Sequence, residues 1–344
     1  MLRTSDYEFD LPEGLIAQAP ADRRESSRLL VVERDSGRLA HRVFADLPDL
    51  LAPGDVLVLN ETRVFPARLR GRRGGGGEAE VLLLHPSAED PAVWTALVRP
   101  GAKLRPGRAL EIGPELRVEI MASTPTGERI VRLETDLPLD DALAKYGSVP
   151  LPPYVRRDAT EADRERYQTV YARAAGSVAA PTAGLHFTPE LLRQIEARGV
   201  ELAKLVLHVG IGTFRPVEVD DPDGHRMHSE WYRVPPDAAE AINASRAAGG
   251  AVWAVGTTSV RTLESVAAEG GRVQSGEGWT DIFIRPPHEF RVVDRMITNF
   301  HLPRSTLLML VAAFAGYELT MQAYQDAIAR AYRFYSYGDA MVIL

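Results

Sequence analysis

Hydrophobic and polar positions follow two different rules along this chain. Over 54–70 apolar residues alternate with polar ones or run together in strand fashion, four glycines at 74–77 make a turn, and strand patterning resumes at 80–84. Short runs of the same kind recur at 94–98, 109–112, 117–121 and 129–134, each bounded by Pro or Gly, which is the spacing of a small β-barrel or sandwich. Leu151-Pro-Pro-Tyr154 punctuates the exit, and the charged stretch 161–171, with Arg164 and Arg166, reads as a linker or short helix. Beyond it the period lengthens. Thr188 as N-cap, Pro189 in the first turn, Glu190 beside it and Gly199 at the far end predict a helix over 189–198. Strands follow at 202–209, 251–255 and 279–284, and helices at 238–248, 259–268, 305–314 and 320–334. Because 28–33 and 56–59 also read as strands, the pattern predicts an α/β layered domain built from 1–64 and 151–344, with a small β-barrel domain, 65–150, inserted into it.

Composition narrows the class. A chain of 344 residues with 45% hydrophobic content can bury a sizeable core and suits two domains. The amino terminus is acidic where a signal peptide needs an apolar run, and no stretch approaches the roughly 18 apolar residues of a membrane span, 306–315 being too short. A cytoplasmic protein with no membrane partner is expected, and a monomer. The absence of cysteine excludes disulfides, thiolate nucleophiles, iron–sulfur clusters and Cys-type zinc sites. A net charge of −7 argues against indiscriminate coating of nucleic acid. Locally, however, 63–108 holds nine basic residues against four acidic ones, either a solvated strand surface or a patch for phosphates.

Candidate chemistry concentrates between 177 and 216. Two loops rich in Gly and Thr, one carrying His186 and one carrying His208, bracket a helix and a strand; small residues admit ligands to the backbone, and imidazoles change protonation near neutral pH. The stretch 251–265 reads strand, tight turn, helix, with Thr257, Thr258 and Ser259 at the helix start, where free N–H groups suit a carboxylate or phosphate; an ordinary capped helix reads the same way. Neither G-x-G-x-x-G nor G-x-x-x-x-G-K-[ST] occurs there, and G-x-S-x-G fails as well. His225 and His228 lack the further ligands a metal needs, and His301 reads as a loop histidine. Four aromatics and Arg333 fall within 332–339, where they either stack on a purine or staple the last helix.

Together, Pro181-Thr-Ala-Gly-Leu-His-Phe187, His208-Val-Gly-Ile-Gly-Thr-Phe214, Met227-His-Ser-Glu230, Gly256-Thr-Thr-Ser-Val-Arg-Thr-Leu-Glu-Ser265, Gly278-Trp-Thr-Asp-Ile-Phe-Ile284, Thr298-Asn-Phe-His-Leu-Pro303 and Tyr335-Ser-Tyr-Gly-Asp-Ala340 closely resemble the S-adenosylmethionine:tRNA ribosyltransferase-isomerases of queuosine synthesis. Amino-terminal blocks, among them Asn60-Glu-Thr-Arg-Val-Phe-Pro-Ala-Arg-Leu69, extend the likeness to nearly the whole chain. Arg285-Pro-Pro-His-Glu-Phe290 departs from the family pattern. The resemblance implies transfer and isomerisation of the ribosyl group of S-adenosylmethionine onto 7-aminomethyl-7-deazaguanine at the tRNA wobble position, giving epoxyqueuosine, adenine and methionine. S-adenosylmethionine is then a consumed substrate, with no cofactor and no metal expected. On this reading His186 or His208 transfers the proton and Asp281 orients it or replaces it. Thr182, Gly184, Gly210, Gly212, Thr213, Thr257, Thr258, Ser259 and Arg261 bind the nucleoside and its methionine, with Tyr332, Arg333, Phe334 and Tyr335 at the purine. Arg68, Arg70, Arg72 and Arg73 would hold the tRNA anticodon stem-loop. A non-catalytic RNA-binding protein and a metal-dependent nucleotide hydrolase using His225 and His228 are the competing readings.

Overall fold

The computed structural model describes residues 2–210, 212 and 216–344. Three amino-terminal strands, β1 (Arg28–Val32), β2 (Leu39–Val43) and β3 (Val56–Asn60), are followed by a short β4 (Thr62–Val64). The chain then enters a barrel made of β5 (Arg68–Arg73), β6 (Glu78–Pro86), β7 (Val93–Arg99), β8 (Ala109–Gly113), β9 (Leu116–Ser123) and β10 (Arg129–Glu134). These six pair antiparallel in the order β5-β6-β7-β10-β9-β8, and β8 returns to β5 through Arg72 and Glu111, so the barrel is closed and has no free edge. Strand alternation turns Leu69, Val81, Leu83, Val118 and Val131 inward. Helix α1 (Leu139–Tyr146) and β11 (Gly147–Ser148) complete it.

Downstream lie α2 (Glu161–Arg166), β12 (Ala174–Ser177), α3 (Pro189–Ala197), β13 (Glu201–Leu207), β14 (Glu230–Val234), α4 (Pro236–Ala247), β15 (Val252–Val255), α5 (Gly256–Ser265), β16 (Gly276–Thr280), β17 (Arg295–Asn299), α6 (Thr306–Ala315), α7 (Tyr317–Ala329) and β18 (Ala340–Ile343). Nine strands from both sides of the barrel form one mixed sheet, β16-β14-β13-β3-β15-β17-β18-β1-β2, in which β13, β3, β15 and β17 are mutually parallel. Central β3 is buried along its whole length, hence its apolar run: Val56 and Val58 face the core under α4 to α6, Leu57 and Leu59 the core under α3. Among the described residues no single helix is long and apolar enough to cross a membrane.

Several expected elements shift. The strand expected over 279–284 is β16, ending at Thr280; it pairs only with β14 at the sheet edge, and Ile282 and Ile284 pack on the core as irregular chain. The helix expected over 320–334 begins at Tyr317 and stops at Ala329, because the chain reverses through left-handed Ala331 and Tyr335 to sink Phe334 into the core. Helix α5 starts three residues before the expected 259, at Gly256, whose φ of +86° makes the tight turn possible. Strand β13 ends at Leu207, leaving His208 and Val209 beyond it.

Asp163 fastens the exit from the barrel to the carboxyl-terminal loop. It is 2% exposed and accepts from Arg157 Nη1 and Nη2 at 2.6 and 2.8 Å, from the Thr160 N–H at 2.8 Å and from the Tyr337 hydroxyl at 2.7 Å. Burial opposes ionisation, but these donors outweigh it and hold the carboxyl below the ordinary carboxylate range. A lowered folded-state pKa contributes stability that is present above the unfolded value of about 4 and lost as pH falls below it. Asp163→Asn is therefore expected to cost about 2–4 kcal/mol in urea unfolding at pH 7, with the gap to the native chain narrowing as pH drops below about 4. A gap independent of pH would refute the assignment.

Candidate active site

The carboxyl ends of parallel β13, β15 and β17 open onto one cleft, the position ligands favour in open α/β sheets. Val209 follows β13, Gly256, Thr257 and Thr258 begin α5 directly after β15, and Thr298 and Asn299 end β17, with His301 two residues on. Pro181, Thr182 and Ala183 close one side; Tyr154 and Tyr335, rings 4.6 Å apart, close another. Two buried polar atoms in this wall have no partner among the described residues, Thr258 Oγ1 and Asn299 Oδ1, and each leaves a hydrogen-bonding capacity for a ligand.

The Asn299 amide has one possible orientation. Its Nδ2 donates toward the Tyr335 and Asp339 carbonyls, at 3.2 and 3.4 Å, and lies 3.1 Å from His186 Nε2. The reverse rotamer would set Oδ1 against two carbonyl oxygens. His186 Nε2 therefore accepts, its Nδ1–H donates to Ser27 Oγ at 2.7 Å, and that hydroxyl donates on to the Arg24 carbonyl at 3.3 Å. Stacked on Phe44 at 4.9 Å and 5% exposed, His186 does not line the cleft. It stands behind Asn299 and lines a small separate cavity with Ser27 and Arg333.

His208 is also displaced from the cleft. Its Nδ1 is 2.8 Å from Thr62 Oγ1, its ring stacks on Trp231 at 5.0 Å, and Gly176 packs so closely that an added Cβ would stand 2.6 Å from Nε2. Asp281 is exposed just past β16 and lines neither the cleft nor the cavity beside it. The imidazole that does line the cleft is His301, whose sequence context reads only as that of a loop histidine. Its Nε2 lies 2.7 Å from Thr298 Oγ1, a hydroxyl that also lies 3.3 Å from the Asn299 carbonyl.

The expected substrate residues divide. Thr182, Thr257, Thr258 and Tyr335 line the cleft, while Gly212 and Arg261 line a neighbouring cavity with His225, His228 and Glu230. The Gly210 N–H donates to Glu230 Oε1 at 2.8 Å. Ser259 spends its hydroxyl on the Val255 carbonyl at 2.8 Å, and Gly184 is pressed against the Tyr171 hydroxyl. Phe334 is enclosed by Phe9, Phe300 and Tyr324; Tyr332 lies under the Arg28 guanidinium at 3.7 Å and bonds His41 Nδ1 at 2.9 Å. Neither presents a face to a purine. Arg333 reaches the Ala19 carbonyl at 3.3 Å and lines a small cavity behind His186. Thr213 lies outside the described residues.

A groove between the barrel and the 150–158 segment holds Arg68, Arg70, Arg99, Arg156 and Arg157 against Glu80 and Asp158. Its walls include Pro153 and Val155, so the intervening Tyr154 joins the groove to the cleft. Arg70 pairs with Asp158 at 2.7 Å and Glu80 at 3.3 Å, and Arg68 with Glu80 at 3.6 Å. Arg72 follows on the same strand face, but Arg73 has the opposite parity and packs over Gly77, away from that face. Arg99, counted in the basic stretch and given no role, is exposed there and pairs with no carboxylate among the described residues.

Residues 4–343 match the family described as queuosine biosynthesis protein. The S-adenosylmethionine:tRNA ribosyltransferase-isomerase of Symbiobacterium thermophilum is 56% identical, with 100% of each chain covered, and that of Anaeromyxobacter sp. 55% identical, with 99% of each covered. Among solved structures, the S-adenosylmethionine tRNA ribosyltransferase of Thermotoga maritima is 38% identical with a TM-score of 0.57, over 98% of this chain and 100% of its own.

Burial holds His186 and His301 down at about 3, and burial with Arg233 nearby holds His208 at about 4, so all three are neutral at pH 7. Below the unfolded value of about 6.5 the unfolded chain binds more protons than the folded one, and stability falls as pH falls. The urea midpoint should decline from pH 6.5 to 4.5, and His186→Gln should make that decline shallower. An identical slope in the variant would show that His186 titrates normally.

Proposed function

The chain belongs to the queuosine biosynthesis protein family, and from that premise we propose that it is an S-adenosylmethionine:tRNA ribosyltransferase-isomerase acting on 7-aminomethyl-7-deazaguanine in the wobble position. The observation that carries the reading is the cleft, where one neutral imidazole, a free Thr258 hydroxyl oxygen and a free Asn299 carbonyl oxygen meet beside a tyrosine pair. In S-adenosylmethionine the positive sulfur acidifies the C5′ protons, so a modest base suffices to remove one. The His301 ring takes that proton, the C4′–O4′ bond breaks to give a C4′=C5′ vinyl sulfonium, and adenine leaves C1′ as an aldehyde forms there and takes up the proton. The aminomethyl nitrogen then adds to C4′, the regenerated C5′ carbanion bonds to C1′, and the alkoxide on C1′ displaces methionine from C5′ as the epoxide closes.

An imidazole near 3 is a weak base in the empty cleft. Transfer of the proton, however, creates an imidazolium beside a carbanion, and that opposite charge offsets the burial that depresses it. Thr258 and Asn299 suit ribose hydroxyls or the base edge, and Tyr154 and Tyr335 offer aromatic surface to a ring. The groove ending at Tyr154 is the route by which an anticodon loop delivers its base, with Arg99, Arg70, Arg72 and Arg156 toward phosphates. The exposed pair of Arg156 with Glu13 is weak enough to be exchanged for phosphate.

His301→Gln should lower adenine release at saturating substrates by about 10²-fold or more while S-adenosylmethionine binds within a few-fold of the native affinity. Near-native turnover would move the base elsewhere, and absence of adenine from the native enzyme would favour a pure RNA-binding role. Changing Arg70, Arg72, Arg99 and Arg156 together to Ala should reduce the slope of log affinity for tRNA against log salt by about 0.7 for every phosphate that is no longer neutralised. An unchanged slope would remove the groove as the RNA route.

A further inference from the structure

Helix α5 carries one wall from the cleft into the neighbouring cavity. Thr257 and Thr258 face the first, Arg261 lies about one turn further along the helix and faces the second, and Leu307 lines both. Arg261 is 4% exposed and Glu230 5%. Arg261 Nη1 donates to Glu230 Oε2 in a close ion pair, Glu230 Oε1 accepts from the Gly210 N–H at 2.8 Å, and Arg261 Nε reaches the Ile282 carbonyl at 3.4 Å. Among the described residues Arg261 Nη2 is buried with no partner. A buried guanidinium with the two N–H groups of one nitrogen left unpaired is costly, and an anionic oxygen from a ligand relieves that cost better than any neutral group. Beside it, the carboxylate of Glu230 retains acceptor capacity for a cation.

We propose that the Arg261–Glu230 cavity is the subsite for the α-amino-acid end of the sulfonium substrate. The ligand carboxylate accepts from Arg261 Nη2, the ligand ammonium donates to Glu230, and the nucleoside extends past Leu307 into the cleft. Two fixed opposite charges side by side complement a zwitterion and reject a ligand lacking one of its charges. The same contacts hold methionine as it leaves. This inference rests on the reading of the cleft as the S-adenosylmethionine site. Glu230 is the member that motif reasoning passed over, although it lies within the Met227–Glu230 block.

Calorimetric titration of the full-length enzyme with three probes tests it: S-adenosylmethionine, its decarboxylated analogue, and 5′-methylthioadenosine, which lacks the amino-acid end. The native enzyme should bind the decarboxylated analogue about tenfold or more weaker than S-adenosylmethionine. Arg261→Lys and Glu230→Gln should weaken S-adenosylmethionine by a similar factor while leaving 5′-methylthioadenosine within about twofold of the native affinity, a control that also reports an intact cleft. Equal affinity of the native enzyme for the carboxylated and decarboxylated probes would overturn the subsite, and that comparison needs no variant to fold. So would variants that keep full affinity for S-adenosylmethionine. Failure of the native enzyme to bind either S-adenosylmethionine or 5′-methylthioadenosine would instead overturn the reading of the cleft itself.

Discussion

The Asn299 amide is the joint around which the cleft is built. Its nitrogen is held between the Tyr335 and Asp339 carbonyls and the His186 ring, so one side chain ties the end of β17 to the carboxyl-terminal loop and to the turn after Pro181. The polarity of that joint leaves Oδ1 alone on the other side. Tyr335, whose C=O receives the amide, occupies left-handed backbone at φ +70°, a conformation that costs energy for a bulky residue and persists because the Asn299 bond and the Phe300 carbonyl, 3.1 Å from the Tyr335 N–H, hold it. Strain and an unfilled acceptor thus meet at one point of the wall.

The two cavities share a single rigid support. Helix α5 grows directly out of β15 at Gly256, with no side-chain cap, and nine of its ten residues are buried. A ligand spanning both cavities would therefore touch residues whose relative positions are fixed by one helix and not by loop closure. The helix also explains why polar residues sit so deep: Ser259 and Thr262 return their hydroxyls to carbonyls four residues back, whereas the Thr258 hydroxyl is buried with no partner among the described residues.

Electrostatics set the uncharged imidazoles near the cleft apart from a charged groove on the surface. Histidines near the cleft are kept uncharged by burial, whereas the groove leading to Tyr154 carries guanidiniums paired to carboxylates at its surface. Such exposed pairs contribute little to stability, so on the proposed reading they are exchangeable for phosphates in a chain whose net charge is −7.

Much of the architecture was legible in the chain itself. Strand period, Pro and Gly punctuation and the Thr188-Pro189 cap are local properties, so the closed barrel, the layered α/β sheet and helix α3 follow from residues close together in sequence. The glycine and threonine after β15 marked one wall of the site for the same reason. Which imidazole lines the cleft was not legible, because His186, His208 and His301 stand in similar polar stretches and differ in what distant chain places beside them. His186 is turned away by Ser27 and Asn299, 159 and 113 residues off, and His208 by Thr62, 146 residues off, while His301 is left at the cleft wall. Arg261 and Glu230 likewise become a charge pair only because β14 and α5 converge. Local chemistry determined which groups were available; long-range packing decided their partners, and a side chain whose bonding is already satisfied by its neighbours has little left for a ligand.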